Sequence, residues 1–147
     1  KRHKLELHRA DLPELLARSE KHPVWVEKAE RCYSCGSCNL VCPTCYCFNV
    51  EEEVDITLQH GTRDRTWDGC MLRKFSEVAG GEVFRESLAS RQRHRIFRKF
   101  KYLSDQTGQP WCVGCGRCTA YCTAGISIVA IVNRLISDHE NVTVAPV

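Results

Sequence analysis

A mainly α-helical domain with one short extended segment is what this sequence predicts. Three observations lead there. Several stretches read as helices, only one stretch alternates as a strand would, and a cysteine-rich run appears twice, its copies held apart by helix-like sequence.

Taken in order, Asp11 with Glu14 reads as a capping box opening a helix over residues 12–18. Pro23 suits the first turn of a second helix, with Trp25, Val26 and Ala29 leading into Cys32. Val54, Ile56 and Leu58 alternate with Asp55 and Thr57, which predicts a short strand or extended segment. Residues 70–79 read as a helix stopped by Gly80 and Gly81. Residues 87–103 read as a longer helix with Ile96, Phe97, Phe100 and Leu103 on one side, broken by Thr107, Gly108 and Pro110. Gly125 precedes an apolar stretch over 126–136 that reads as helical although rich in β-branched residues, and 138–147 reads as irregular. The expected division is an N-terminal extension over 1–22, one domain over 23–137 and a C-terminal tail over 138–147.

The repeat organises the chain. Cys32-x2-Cys35-x2-Cys38-x3-Cys42-Pro43 returns as Cys112-x2-Cys115-x2-Cys118-x3-Cys122, with Gly36 and Gly116 alike in the two copies and Thr123 where the first has Pro43. Eleven cysteines in 147 residues raise the question of a disulfide scaffold. The count is odd, and cysteines this close in sequence rarely meet the Cα separations and Cβ directions a disulfide requires. No signal peptide opens the chain, and no apolar run reaches the ~18 residues of a membrane span. A reducing, cytoplasmic setting is therefore expected, where clustered cysteines read as metal ligands. The chain begins at Lys1 and not at Met, so a processed chain or part of a longer one is expected.

A [4Fe–4S] cubane needs four thiolates, and a C-x2-C-x2-C-x3-C-P run gives three to one cluster and its fourth to the other in two-cluster proteins. The spacing thus assigns Cys32, Cys35, Cys38 and Cys122 to one cluster, and Cys112, Cys115, Cys118 and Cys42 to a second. Structural zinc is the alternative, but zinc sites pair two separated C-x2-C knuckles, whereas each run here carries a third cysteine at the same spacing and a fourth beyond it. With eight thiolates and two oxidised cores, the formal charge of +3 becomes about −1.

Cys45, Cys47 and Cys70 are left over. Three thiolates cannot complete another all-cysteine cluster. The expectation is small buried residues near the first cluster. The sharper alternative is a third metal site completed by a non-cysteine ligand such as His60 or Asp68, or by a partner chain. Residues 90–101 carry Arg91, Arg93, Arg95, Arg98, Lys99, Lys101 and His94 without an acid. A nucleic-acid contact is one reading. We favour a solvated face that counters cluster charge and docks an acidic partner, because Phe97, Phe100 and Tyr102 fall at the spacing of core residues. Trp25, Trp67 and Trp111 read as packing and shielding residues. There is no dinucleotide-binding loop, no P-loop and no nucleophile setting, so no catalytic site of its own is expected.

Residues 32–48 (CYSCGSCNLVCPTCYCF), then Arg65-Thr66-Trp67-Asp68-Gly69-Cys70, then 77–81 (EVAGG), 91–100 and 112–122, occur in that order. This arrangement over residues 20–136 resembles the dicluster ferredoxin-type β subunit of cytosolic nickel–iron hydrogenases of the sulfhydrogenase type. It is similar also to the corresponding iron–sulfur subunit of anaerobic sulfite reductase. The resemblance implies an α-helical ferredoxin-like dicluster fold and a non-catalytic subunit. Such a subunit relays electrons between a flavin subunit that works on NAD(P)H and the iron–sulfur and nickel–iron subunits. The alternatives are the equivalent subunit of a sulfite reductase or heterodisulfide-reductase-like complex and a nucleic-acid-binding iron–sulfur protein.

Overall fold

In the computed structural model, which describes residues 4–143, four helical segments enclose an apolar core. Helix α1 spans Leu12–Arg18 and α2 spans Val24–Ala29. Helix α4 spans Leu88–Phe97, and α7 spans Ile128–Thr143. Between α2 and α4 lie the short α3 (Ser37–Leu40) and two strands, β1 (Phe48–Val54) and β2 (Gly61–Trp67). After α4 come a π-helical turn (Arg98–Tyr102), α5 (Leu103–Thr107) and the short α6 (Arg117–Ala120).

The core follows from helical periodicity. Ile128, Ile131, Val132, Leu135 and Ile136 share one face of α7 and meet Leu12, Leu15 and Leu16 of α1, Val24 and Trp25 of α2, and Ile96, Phe97 and Phe100. Burial on that face outweighs the weak helix propensity of its Ile and Val residues. Helix α1 begins where the sequence places it, but Asp11 makes no side-chain capping bond, and Pro13 in the first turn does the pre-organising. The Ser87 hydroxyl accepts from the Ser90 N–H and caps α4. Helix α7 runs on through Asp138, where an irregular tail was expected. Ser19 and His139 lie 2.9 Å apart (Oγ to Nε2) across the α1–α7 junction, and Arg134 donates to Asp138 one turn on.

The expectation of a mainly α domain is corrected by the strands. They form an antiparallel hairpin of seven residues on each side, in register from Phe48 opposite Trp67 to Val54 opposite Gly61. Every residue of both strands is exposed, so neither face shows the alternation that marks a half-buried strand. The extended segment expected around Val54–Leu58 is in fact the end of β1 and the turn, and Trp67 is exposed where packing was expected. The helix expected over 70–79 is corrected too. Only a 3-10 turn forms over Arg73–Ser76, bounded by extended Leu72 and Glu77, and Glu77 pairs with Val83 in an antiparallel bridge instead of continuing a helix.

Candidate metal centre

The two cysteine runs fold as copies of one loop. Gly36 and Gly116 share φ +74° and ψ −7°, a left-handed conformation that glycine adopts at no steric cost, and each starts a four-residue helix. In both copies the last cysteine donates its N–H three residues back, Cys42 to Asn39 O and Cys122 to Thr119 O. Helices α3 and α6 pack on each other, which sets the loops face to face. Ser34 takes the left-handed position that Gly114 holds in the second copy, and its hydroxyl donates to the Met71 carbonyl.

Packing the loops this way makes two cavities. Cys32, Cys35, Cys38 and Cys122 line one, with Met71, Arg95 and Ile126 beside them. Cys42, Cys112, Cys115 and Cys118 line the other, with Lys99 and Ile128. Backbone N–H groups already point at sulfur: Ser34 N–H donates to Cys32 Sγ and Ile126 N–H to Cys122 Sγ, at 3.4 and 3.3 Å. The Ser37 hydroxyl lies 3.3 Å from Cys35 Sγ and holds that thiol below its usual pKa.

One helix face supplies the counter-charge. Arg91, Arg95 and Lys99 are spaced one turn apart and are all buried, so three of the seven residues of the basic run lie inside the protein and not on a solvated face. Arg95 is 2% exposed, and its Nε and Nη1 find no hydrogen-bond partner. Burial works to lower its pKa, but the surrounding Cys38, Cys118, Cys70 and Cys45 sulfurs raise it on balance. Lys99 Nζ donates to Thr44 Oγ1 at 2.9 Å, and its pKa is raised, against the effect of burial, by a bond to Cys42 and the charge of Cys45. Cys42 in turn is held well below its usual pKa by its hydrogen bond with Cys45, helped by Thr44 and Lys99. The π turn delivers Lys99 there, at a helix irregularity of the kind common in functional sites.

These features fit iron–sulfur clusters. Burial pushes Cys38 up to about 11 and raises Cys70 and Cys112, so without metal these thiols keep their protons. Bound iron takes the place of the proton and leaves the sulfur anionic, which gives a buried guanidinium without a carboxylate its missing partner. Among the described residues no group of three or more His, Cys, Asp or Glu could hold a single metal ion.

A family model for the 4Fe–4S dicluster domain matches residues 31–126. The chain belongs to that family. This dicluster protein therefore carries two [4Fe–4S] clusters. It is also 36% identical, over 132 residues, to the sulfhydrogenase 2 subunit beta of Pyrococcus furiosus, which agrees with the resemblance read from the sequence. The match covers 90% of this chain but 39% of that relative's length. No solved structure matches the dicluster chain. Among the described residues no helix is long and apolar enough to cross a membrane.

The leftover cysteines are not scattered. Cys45, Cys47 and Cys70 line a third cavity, with Asn39 donating to Cys45 Sγ at 3.7 Å and to Cys70 Sγ at 3.5 Å. His60 and Asp68, the non-cysteine ligands suggested by sequence, do not line it, whereas His94 does. Sequence reasoning missed Asn39 and the burial of Arg95. The one available signal was the set of basic residues four apart on a helix that also carries core residues.

Proposed function

We propose that the dicluster chain relays electrons one at a time within a hydrogenase-type complex. Cys32, Cys35, Cys38 and Cys122 hold one cluster, and Cys112, Cys115, Cys118 and Cys42 the other. The partners are a flavin subunit that exchanges electrons with NAD(P)H and a nickel–iron catalytic subunit. One observation carries the reading: each cavity is lined by three cysteines of one run and the fourth of the other, with buried Arg95 facing both Cys38 and Cys118. Likeness to a sulfhydrogenase β subunit supports the kind of complex.

When bound, each cluster takes up and gives back a single electron. The chain's own residues set the conditions. Arg95 and Lys99 offset the added negative charge, while the N–H groups of Ser34 and Ile126 stabilise the sulfurs that share it. The absence of nucleotide loops leaves substrate chemistry to other subunits.

The test is an EPR-monitored redox titration of the anaerobically purified protein, with its complex partners identified by mass spectrometry. Two magnetically coupled clusters, with flavin and nickel–iron subunits co-purifying, are expected. Zinc in place of iron, or clusters that cannot be reduced reversibly, overturns the relay.

A further inference from the structure

We infer that Cys45, Cys47 and Cys70 hold a third iron–sulfur cluster, with three thiolate ligands and one iron left to a non-cysteine ligand. The inference rests on the chain being an iron–sulfur protein and not on the identity of its partners.

The site is assembled from two distant stretches. The foot of the hairpin joins them: Asp68 N–H donates to Cys47 O at 3.4 Å, next to the Phe48–Trp67 pair, so Cys45 and Cys47 come beside Cys70. Asn39 then spans the gap. Its amide nitrogen donates to the sulfurs of Cys45 and Cys70, and its oxygen accepts from Met71 N–H at 3.1 Å. A Cβ at Gly69 would stand 2.9 Å from Asn39 Cβ, so the chain reaches this approach only with glycine. Together they frame a cavity of about 240 Å³.

Charge identifies the occupant. Arg85, Arg95, Arg98 and Lys99 line the cavity, and no carboxylate does. Nε of Arg85 is buried there without a partner, beside Arg95, whose guanidinium the first two clusters share. Unpaired buried cations are costly, so an anion belongs there. No described set of three ligating side chains suits a single ion, which disfavours a lone zinc. A cluster binds each thiolate through a different iron, tolerates wider spacing between them and supplies the anionic charge. The site would adjoin the second cluster, because Cys45 is hydrogen-bonded to Cys42 and Lys99 serves both.

Iron and acid-labile sulfide per chain decide the matter in the full-length protein purified anaerobically. About twelve irons, or about eleven for a three-iron form, are expected, against about eight for two cubanes alone. The variant with Cys45→Ala, Cys47→Ala and Cys70→Ala, which leaves no ligating atom, should fall to about eight and keep the coupled EPR signal of the two reduced clusters. Cys47→Ala alone, at a half-buried position, covers the case in which the triple variant fails to fold. A wild-type count of about eight that Cys47→Ala leaves unchanged overturns the third site while the relay stands. A count well below eight sinks the two-cluster reading itself, and the third site with it.

Discussion

Arg95 and Lys99 lie four residues apart on the buried face of one helix, and their charges act on different sulfurs. Arg95 faces Cys38 and Cys118 first, whereas Lys99 faces Cys42 and Cys45. A single helix thus distributes positive charge across both cysteine runs while Ile96 and Phe100 on the same segment fill the core. Holding the apolar core and holding the clusters are therefore tasks of one element.

Replacing Arg95 by Met should make both clusters harder to reduce. A unit charge about 7 Å away at an effective dielectric near 20 contributes roughly 2 kcal/mol, or about 100 mV for one electron. We expect both potentials to fall by about 50–100 mV in a redox titration followed by EPR. Arg95→Lys should recover part of the shift. Unchanged potentials in Arg95→Met would mean that the guanidinium acts on packing alone.

The proposed exchange of ligands between the runs makes a pairing prediction. Cys42→Ser and Cys115→Ser should perturb the same cluster signal, and Cys122→Ser and Cys35→Ser the other. Serine can still ligate iron through a harder oxygen, so shifted signals are expected and not wholesale loss. If Cys42→Ser and Cys35→Ser disturb one common signal, each run holds its own cluster and the swap is wrong.

How much of this was legible in the sequence depends on which force was at work. Ligation needs fixed spacing, so the cysteine runs could be read directly. The periodicity of Ile128 to Ile136 was legible for the same kind of reason. The hairpin was not, since its strands bury no face, and Glu51 to Glu53 hide the pattern. The helix expected over 70–79 gave way to extended Glu77 pairing with Val83 across Gly80 and Gly81, a bridge that the helix-like pattern of 70–79 does not record. Arg91, Arg95 and Lys99 looked like a solvated face because basic runs usually are. Their burial makes sense only once anionic clusters stand beside them.

The hairpin should be separable from the clusters. Ile56 is 99% exposed and Leu58 80% exposed at its tip, and no hairpin residue belongs to the buried core. An isolated two-stranded hairpin is marginal in water, which makes a partner's surface a reasonable cover for these apolar side chains. Ile56→Asp with Leu58→Asp should leave iron content unchanged and stability within about 0.5 kcal/mol. Co-purification with the proposed partner subunits should weaken. Undiminished co-purification would move the docking surface elsewhere.

Removing the clusters should unfold the loops before the core. Helices α1, α2, α4 and α7 meet through Leu16, Val24, Ile96 and Leu135, all at most 1% exposed, and that contact does not run through cysteine. The loops at 32–42 and 112–122 are held more thinly, since α3 and α6 are four residues each and bury only Asn39, and their contact with the core runs through Cys32, Cys112, Cys118 and Cys122, which are themselves cysteines of the two runs. Their buried thiols must also leave Arg95 uncompensated once iron is gone. After chelation under reducing conditions we expect limited proteolysis to cut first at exposed Arg31 and Arg117, with much of the helical circular dichroism retained. Leu135→Ala provides the contrast. It should cost about 2–5 kcal/mol through the cavity it leaves, whether or not the clusters are present. Simultaneous loss of helix signal and loop protection on chelation would show that core and clusters fold as one unit.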